Sequence, residues 1–193
     1  MELILGLEPL SQYDAAATPA YNAFSLVPNL APYAAVAPKI AEAIGAAKTA
    51  GDSLGGLITV IISGAPVGLG EPVFGKLKAR LADAFAGVGA VTGVLWGPPE
   101  LASRLELPGS AFHALSDDGL PSEVYGGIQG GMSTGAPISM RVMLKPPSTL
   151  GAHATTGRHD PCILPRAVPV IEAMVSLVLA DAWLHLRARE HRA

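Results

Sequence analysis

Cysteine is nearly missing from this 193-residue sequence, which contains only Cys162. An intramolecular disulfide framework is therefore excluded, and a reducing compartment is expected. Charged residues make up only 15% of the chain and aromatic residues 5%. The net charge of −3 is spread along the chain and favours neither nucleic acid nor an anionic membrane surface as a partner. His113 and His153 lie far from each other and from Cys162 in sequence, without metal-ligand spacing, so no metal site is predicted.

Apolar residues are abundant instead, at 50% of the chain with a mean hydropathy of +0.39. The most apolar stretch, Val168 to Leu184, is shorter than a membrane span and contains Glu172 and Asp181, which predicts a buried helix. The first ten residues show neither a basic region nor a small-residue cleavage site, which argues against a signal peptide. We therefore expect a cytoplasmic protein with no membrane span, whose excess apolar residues cover a subunit or domain interface.

The spacing of apolar residues predicts three helices and four strands. The helices are expected at about 38–50, 73–86 and from 168 into the tail, and the strands at 3–7, 57–63, 91–96 and 138–145. In the last strand apolar residues alternate with Ser139, Arg141 and Lys145, so one face is apolar and the other carries cations. This order of elements predicts an α+β fold in which helices cover one sheet.

The densest group of chemically active side chains lies in the segment GRHDPCILPRAVPVIEAM, which begins at Gly157. Arg158 offers a planar set of donors suited to phosphate, and Asp160 offers an acceptor or a base. A surface turn, in which an Arg–Asp ion pair only orders the entry to a helix, explains these residues equally well.

Prolines in the same segment predict where the last helix begins. Pro169 would cost a hydrogen bond inside a helix, so the regular helix is expected to start near it. The positive end of that helix would then favour an anion beside the loop. Glu172, one turn further, is expected to be half-buried and paired with Arg166.

Two other segments could bind a phosphate or a flat ligand. In KPPST, Lys145 and the hydroxyls of Ser148 and Thr149 could hold a phosphate, although a strand ended by two prolines is the more conservative interpretation. In GGIQGGMSTG, at 126–135, five glycines would let a ligand approach the backbone closely. A glycine-rich run on its own is more often a tight turn.

Four ordered segments together resemble the second half of chorismate synthase. They are AGDSLGG at 50–56, GAPVGLGEPVFGKL at 64–77, GGIQGGMSTGAPISMRVMLKPPST at 126–149 and GRHDPCILPRAVPVIEAM at 157–174. The resemblance implies that 36–193 is about one half of the family's β-α-β sandwich, with helices packed on a mostly antiparallel sheet. Residues 1–35 would then be a short strand and an irregular Ala- and Pro-rich lead-in. It also implies a homo-oligomer.

The resemblance further implies a lyase of the shikimate pathway that converts 5-enolpyruvylshikimate 3-phosphate to chorismate by 1,4-elimination of phosphate, with reduced FMN. The catalytic residues would be Asp160, which would contact the flavin ring and relay a proton, and Arg158, which would meet both FMN and substrate. The implied cofactor-binding residues are Gly89, Ala90, Gly130, Lys145, Pro146, Pro147, Ser148, Thr149 and Arg158. The family has an asparagine where this chain has Gly89, so a side-chain amide is lost there.

The sequence also departs from the family. The Gly-Glu-Ser-His-Gly motif, a second catalytic histidine and several substrate-binding arginines of the family's first half have no counterpart here. The family's Asn-Asn-Ala before the glycine-rich segment is replaced by Glu123, Val124 and Tyr125. We therefore expect a shortened enzyme, or one half of a split enzyme completed by a complementary N-terminal half. The alternative is a non-catalytic flavin- or partner-binding half-domain, or the remnant of a truncated gene.

Overall fold

A computed structural model describes residues 37–97, 109, 123–150 and 160–190. The strand predicted at 3–7 and the lead-in at 1–35 lie outside these residues. The described elements, in chain order, are α1 (Ala37–Ala50), β1 (Gly56–Ile62), α2 (Leu77–Ala86), β2 (Val91–Trp96), a short 3-10 helix (Glu123–Tyr125), β3 (Ile128–Gln129), β4 (Met132–Ser133), β5 (Ile138–Leu144) and α3 (Leu164–Glu190).

Three strands form an antiparallel sheet in the order β1-β5-β2, with β5 in the centre. Val142 of β5 lies opposite Ile58 on one side and Val94 on the other. The side chains on the predicted apolar face of β5 are buried, namely Ile138, Met140, Val142 and Leu144, whereas Met143 on the other face is 36% exposed. Strands β3 and β4 form a separate small hairpin. The α+β class is thus confirmed.

Helices α2 and α3 cover the apolar face of this sheet and pack against each other. Leu77, Leu81 and Phe85 of α2 are fully buried, at the spacing that the sequence predicted. The buried apolar residues of α3 are Ala167, Ile171, Val175, Leu179 and Ala182. Burial of each large apolar side chain stabilises the fold by about 1.5–3 kcal/mol, so this layer holds the site segments on a rigid base.

The end of α1 at Ala50, just before Gly51, agrees with the predicted end at about residue 50. This glycine adopts a positive φ of 69°, and the next residue, Asp52, donates its backbone N–H to the carbonyl of Ala47 at 2.9 Å. The pairing is the usual way in which a left-handed glycine satisfies the last carbonyls of a helix. It turns the chain sharply towards β1.

Helix α2 begins later than the prediction at residue 73. The backbone N–H of Glu71 donates to the carbonyl of Gly75 at 2.8 Å, and this turn keeps the intervening residues out of the helix. Phe74, which lies within the range predicted to be helical, is 96% exposed. The helical spacing of apolar residues continues into this hydrogen-bonded turn, and the predicted start of the helix was therefore too early.

Helix α3 begins at Leu164, before the predicted start at residue 168, and Pro169 lies inside it. Pro165 falls in the first turn, where backbone N–H groups have no helical partner in any case. Pro169 removes one bond to the carbonyl of Pro165, but it lies on the exposed side, where water can reach that carbonyl. The sequence-based start was therefore wrong.

The same helix corrects two further expectations. By length and composition, Leu164–Arg189 could cross a membrane, so the apolar stretch is longer than the sequence suggested. In this structure 39% of its most apolar window is buried. Among the described residues, Ile171 and Val175 of this helix are buried in the core, whereas its exposed large apolar residues are Val170 (42%), Leu177 (55%) and Leu184 (59%).

Candidate functional site

The loop between α1 and β1 contacts two of the predicted site segments. The hydroxyl of Ser53 donates to the carbonyl of Pro147 at 2.5 Å, which fixes the KPPST segment. The next backbone N–H, that of Leu54, donates to the carbonyl of Pro161 at 2.7 Å, and Leu54 also forms an isolated parallel bridge with Cys162. One short loop therefore holds the phosphate-type segment on one side and the Asp160 segment on the other.

Gly55, in the same loop, packs directly against the end of β5. A Cβ atom at this position would lie 2.5 Å from the carbonyl oxygen of Leu144 and 2.8 Å from the nitrogen of Pro146. Only glycine allows the two backbones to approach this closely. Steric exclusion of a Cβ atom therefore explains why the AGDSLGG motif has a glycine at position 55.

The Gly89–Ala90 pair meets the KPPST segment from the other side. The backbone N–H of Lys145 donates to the carbonyl of Ala90 at 2.9 Å. Ala90 has a φ of 73°, which is unfavourable for a residue with a Cβ atom by roughly 1–2 kcal/mol. Gly89 is exposed, and a Cβ atom built there would meet nothing within 4 Å, so open space lies beside the pair. Strained backbone next to open space is typical of a binding site.

Asp160 is held by a partner that the sequence did not predict. Its carboxylate lies 2.6 Å from the guanidinium of Arg166; the Asp160 side chain is 22% exposed and that of Arg166 62%. The predicted Arg166–Glu172 pair was therefore wrong. Six residues correspond to about 240° around a helix beyond one full turn, so these two side chains point to different faces. Burial raises the pKa of the Glu172 carboxyl above its ordinary value.

One predicted site residue, Gly130, is not joined to this group. Arg158 lies outside the described residues. Gly130 lies in the turn between β3 and β4, and the carbonyl of its neighbour Gly131 accepts the backbone N–H of Leu77 at 2.8 Å, at the start of α2. Ala90 follows the other end of this ten-residue helix, about 15 Å along its axis. The structure thus brings together Gly89, Ala90, the 145–149 segment and Asp160, with Gly130 at a distance.

The family model described as chorismate synthase matches residues 24–184. This chain belongs to the chorismate synthase family. The chorismate synthase of Bdellovibrio bacteriovorus is 47% identical over 146 residues, which are 76% of this chain and 41% of that protein. That of Opitutus terrae is 39% identical over 189 residues, which are 90% of this chain and 52% of that protein.

A solved crystal structure of chorismate synthase shares this fold with a TM-score of 0.66 and 31% sequence identity. The match covers 81% of this chain and 45% of that one. The chain therefore spans about half the length of the chorismate synthases that it matches.

The sequence did not predict the residues that hold the predicted site residues in place. The motif AGDSLGG includes Ser53, Leu54 and Gly55, but the sequence did not predict which residues they contact. Their signal was the pair of glycines at 55–56, which indicates close backbone approach. The position of Arg166 also indicated a contact. A cation in the first turn of a helix lies at the positive end of the dipole, so it is stable there only beside an anionic group.

A second polar group lies between α2 and α3, away from the family motifs. Arg80 forms an ion pair with Asp181, and this hydrogen bond holds the pKa of the Asp181 carboxyl below its ordinary value. A cavity of about 180 Å³ adjoins them, lined by Gly70, Glu71, Gly75, Arg80, Ala182 and His185. Within the described part of the chain, no three His, Cys, Asp or Glu side chains are placed to hold a metal ion.

Proposed function

We propose that this chain acts in the chorismate synthase reaction of the shikimate pathway. Its substrate would be 5-enolpyruvylshikimate 3-phosphate and its products chorismate and phosphate. The observation that carries the proposal is the convergence of Gly89–Ala90, the 145–149 segment and Asp160 around the loop that follows α1. These are the segments for which the family resemblance implies contacts with FMN.

The described residues fit a flavin mononucleotide. Lys145, Ser148 and Thr149 are all exposed at the end of β5, where one ammonium and two hydroxyls can bind a phosphate group. The open space beside Gly89 leaves room for a flat ring. When bound, reduced FMN supplies the electron-rich ring that assists loss of the substrate's phosphate.

The chain's own acid–base group would be Asp160. Its carboxylate is largely shielded from solvent but fixed by Arg166, so it can hold or return a proton at an oxygen atom beside the bound ligands. Arg158, two residues earlier in sequence, is proposed to bind the anionic groups of substrate and cofactor through its guanidinium. Lys145 and Arg158 would contribute most of the binding energy for the phosphate.

We propose a complementary N-terminal half or further copies of the chain as partners in the cytoplasm, without membrane or nucleic acid. The outer face of the sheet supports this, because Leu57 and Ile61 of β1 are 51% and 63% exposed. On the same face, the Nε of Arg141 is buried, and no residue in the described part of the chain accepts its hydrogen bond. A partner that covers this face would bury apolar surface and supply the missing acceptor.

The test is an anaerobic assay of phosphate release from 5-enolpyruvylshikimate 3-phosphate with reduced FMN. The chain is assayed alone and together with the separately expressed N-terminal part of the Bdellovibrio bacteriovorus relative. We expect turnover in the mixture, and a decrease of at least about 100-fold for Asp160→Asn, because loss of a general acid–base group typically has this effect.

Asp83→Asn is the matched control, since Asp83 is an exposed aspartate on α2. It is expected to leave turnover within a factor of about two of the unmodified chain. Absence of turnover in both samples would overturn the proposed function. Full turnover of Asp160→Asn would overturn the proposed role of Asp160.

Flavin or partner binding without chemistry is the second candidate, because this chain has Gly89 where the family has an asparagine, and Glu123, Val124 and Tyr125 where the family has Asn-Asn-Ala. Tight binding of reduced FMN together with zero phosphate release in every mixture would favour this candidate. Aggregation of the isolated chain and of every mixture would instead favour a gene remnant.

A further inference from the structure

Arg166 occupies a position that is electrostatically unfavourable for a cation. It lies in the first turn of α3, where the aligned peptide dipoles of the helix already give a positive potential. Its guanidinium is 2.6 Å from a carboxylate oxygen of Asp160, so the carboxylate offsets both the cation and the helix end. The pair therefore has a reason to stay closed in the free protein.

The two members of the pair have unequal exposure. The side chain of Asp160 is 22% exposed, whereas that of Arg166 is 62% exposed. The carboxylate is thus the more shielded partner of the pair, and the arginine is the more exposed one.

The backbone near the pair is fixed at several points. Arg166 donates its own backbone N–H to the carbonyl of Ile163 at 3.0 Å, and Pro161 accepts from Leu54 at 2.7 Å. Cys162 adds the bridge to Leu54. The backbone that follows Asp160 is therefore fixed by hydrogen bonds. The ion pair with Arg166 then orients the Asp160 carboxylate.

We propose that Arg166 is a positioning residue: it orients the Asp160 carboxylate for its work on the bound flavin and does not itself contact substrate or cofactor. This inference rests on the proposed function, in which Asp160 meets reduced FMN. The competing interpretation is an ion pair that only orders the start of α3. The two differ in whether loss of Arg166 alters ligand binding in a folded protein.

The first measurement does not depend on flavin and uses Cys162 as a probe. It is the chain's single cysteine and is partly buried two residues after Asp160, so its rate of reaction with a thiol reagent reports opening of this loop. We expect Arg166→Gln to raise the labelling rate at least about threefold, because loss of an ion pair of this exposure favours opening by that order. In an Asp160→Asn background the same change should have no further effect.

Arg189→Gln is the matched control for both measurements. Arg189 is also a partly exposed arginine of α3, and it pairs with Glu71 at 3.1 Å near the other end of the helix. Its loss should leave the Cys162 labelling rate and the flavin affinity within a factor of about 1.5 of the unmodified chain. An equal effect of both arginines would point to general loosening of α3 and would overturn the proposal.

The second measurement is the dissociation constant for reduced FMN, in the complex with the N-terminal half and under anaerobic conditions. We expect a loss of affinity of about tenfold for Arg166→Gln, and a smaller loss for Arg166→Lys, since lysine keeps the charge but not the planar pair of donors. In the Asp160→Asn background, Arg166→Gln should change the affinity by less than about twofold.

The outcomes separate this inference from the proposed function. If the unmodified complex binds no reduced FMN, the proposed function fails, and the labelling rates still decide whether Arg166 fixes the Asp160 loop. If the complex binds FMN and Arg166→Gln binds it equally well, only the positioning role is overturned. An undiminished effect of Arg166→Gln in the Asp160→Asn background would also overturn it, because Arg166 would then act on the ligand directly.

Discussion

At the scale of single residues, the site depends on backbone approaches that tolerate little change. Gly55 lets the loop after α1 lie against the end of β5, and Ala90 accepts a left-handed conformation where it bonds to Lys145. Both positions face the same short stretch of backbone at the start of the KPPST segment. Strain and close contact are thus concentrated where the candidate ligand would bind.

Gly55→Ala tests this close contact. The added methyl group would lie 2.5 Å from the carbonyl oxygen of Leu144, which is backbone and cannot move aside easily. We expect the free energy of unfolding to fall by about 1–3 kcal/mol in urea titrations. The control is Gly45→Ala in α1, where a Cβ atom meets nothing within 4 Å. It should gain about 0.5–1 kcal/mol, and equal effects at the two glycines would contradict the steric explanation.

At the scale of elements, α3 combines a buried face with a carboxyl that titrates abnormally. Burial of Glu172 raises the pKa of its carboxyl above the ordinary value of 4.5. A carboxyl with a raised pKa in the folded state binds its proton more tightly there than in the unfolded chain. Its contribution to stability is therefore present at low pH and decreases as the pH rises above about 4.5 through the raised folded value.

Glu172→Gln should remove this dependence. A neutral side chain of the same size carries no desolvation penalty for charge, so the variant should become more stable than the unmodified chain as the pH rises from about 4 to 7. The measurement is the free energy of unfolding of both proteins at several pH values in this range. An advantage for the variant that is greatest at the acid end would contradict the sign of the shift.

Some elements could be predicted because their signals are local. The alternation over 138–145 has a period of two, and Gly51 ends α1 through a hydrogen bond within one turn. The start of α2 was missed because Val73 and Phe74 continue the helical spacing of apolar residues through a turn. The start of α3 was missed because Pro169 lies on an exposed side of the helix, where the lost bond costs little.

The sequence predicted which residues belong to the candidate site, but not the contacts that bring them together. The motifs indicated Lys145 and Asp160, but the contacts that unite them come from Ser53 and Leu54, far away along the chain. Periodicity carries no information about such long-range pairs. The choice of Asp160 rather than Glu172 as partner of Arg166 depends on helix phase, which becomes decisive only once the start of α3 is known.

At the scale of the whole molecule, apolar surface remains exposed on two sides. Leu57 and Ile61 lie on the outer face of the sheet, and Leu177 and Leu184 lie on the free side of α3, all more than half exposed. Surfaces of this kind usually mark an interface. They agree with a chain that spans about half the length of its chorismate synthase relatives and is proposed to act with a partner.

The central claim is that distant segments form one flavin site around the loop that follows α1. Hydrogen exchange of the chain with its N-terminal partner, with and without reduced FMN, tests it most directly. The account predicts that FMN protects the backbone amides of 51–55, 89–91, 145–149 and 160–163 together, while the last turns of α3 remain unchanged. Protection confined to the α2–α3 cavity around Arg80 and His185, or no protection at any of these segments, would contradict it.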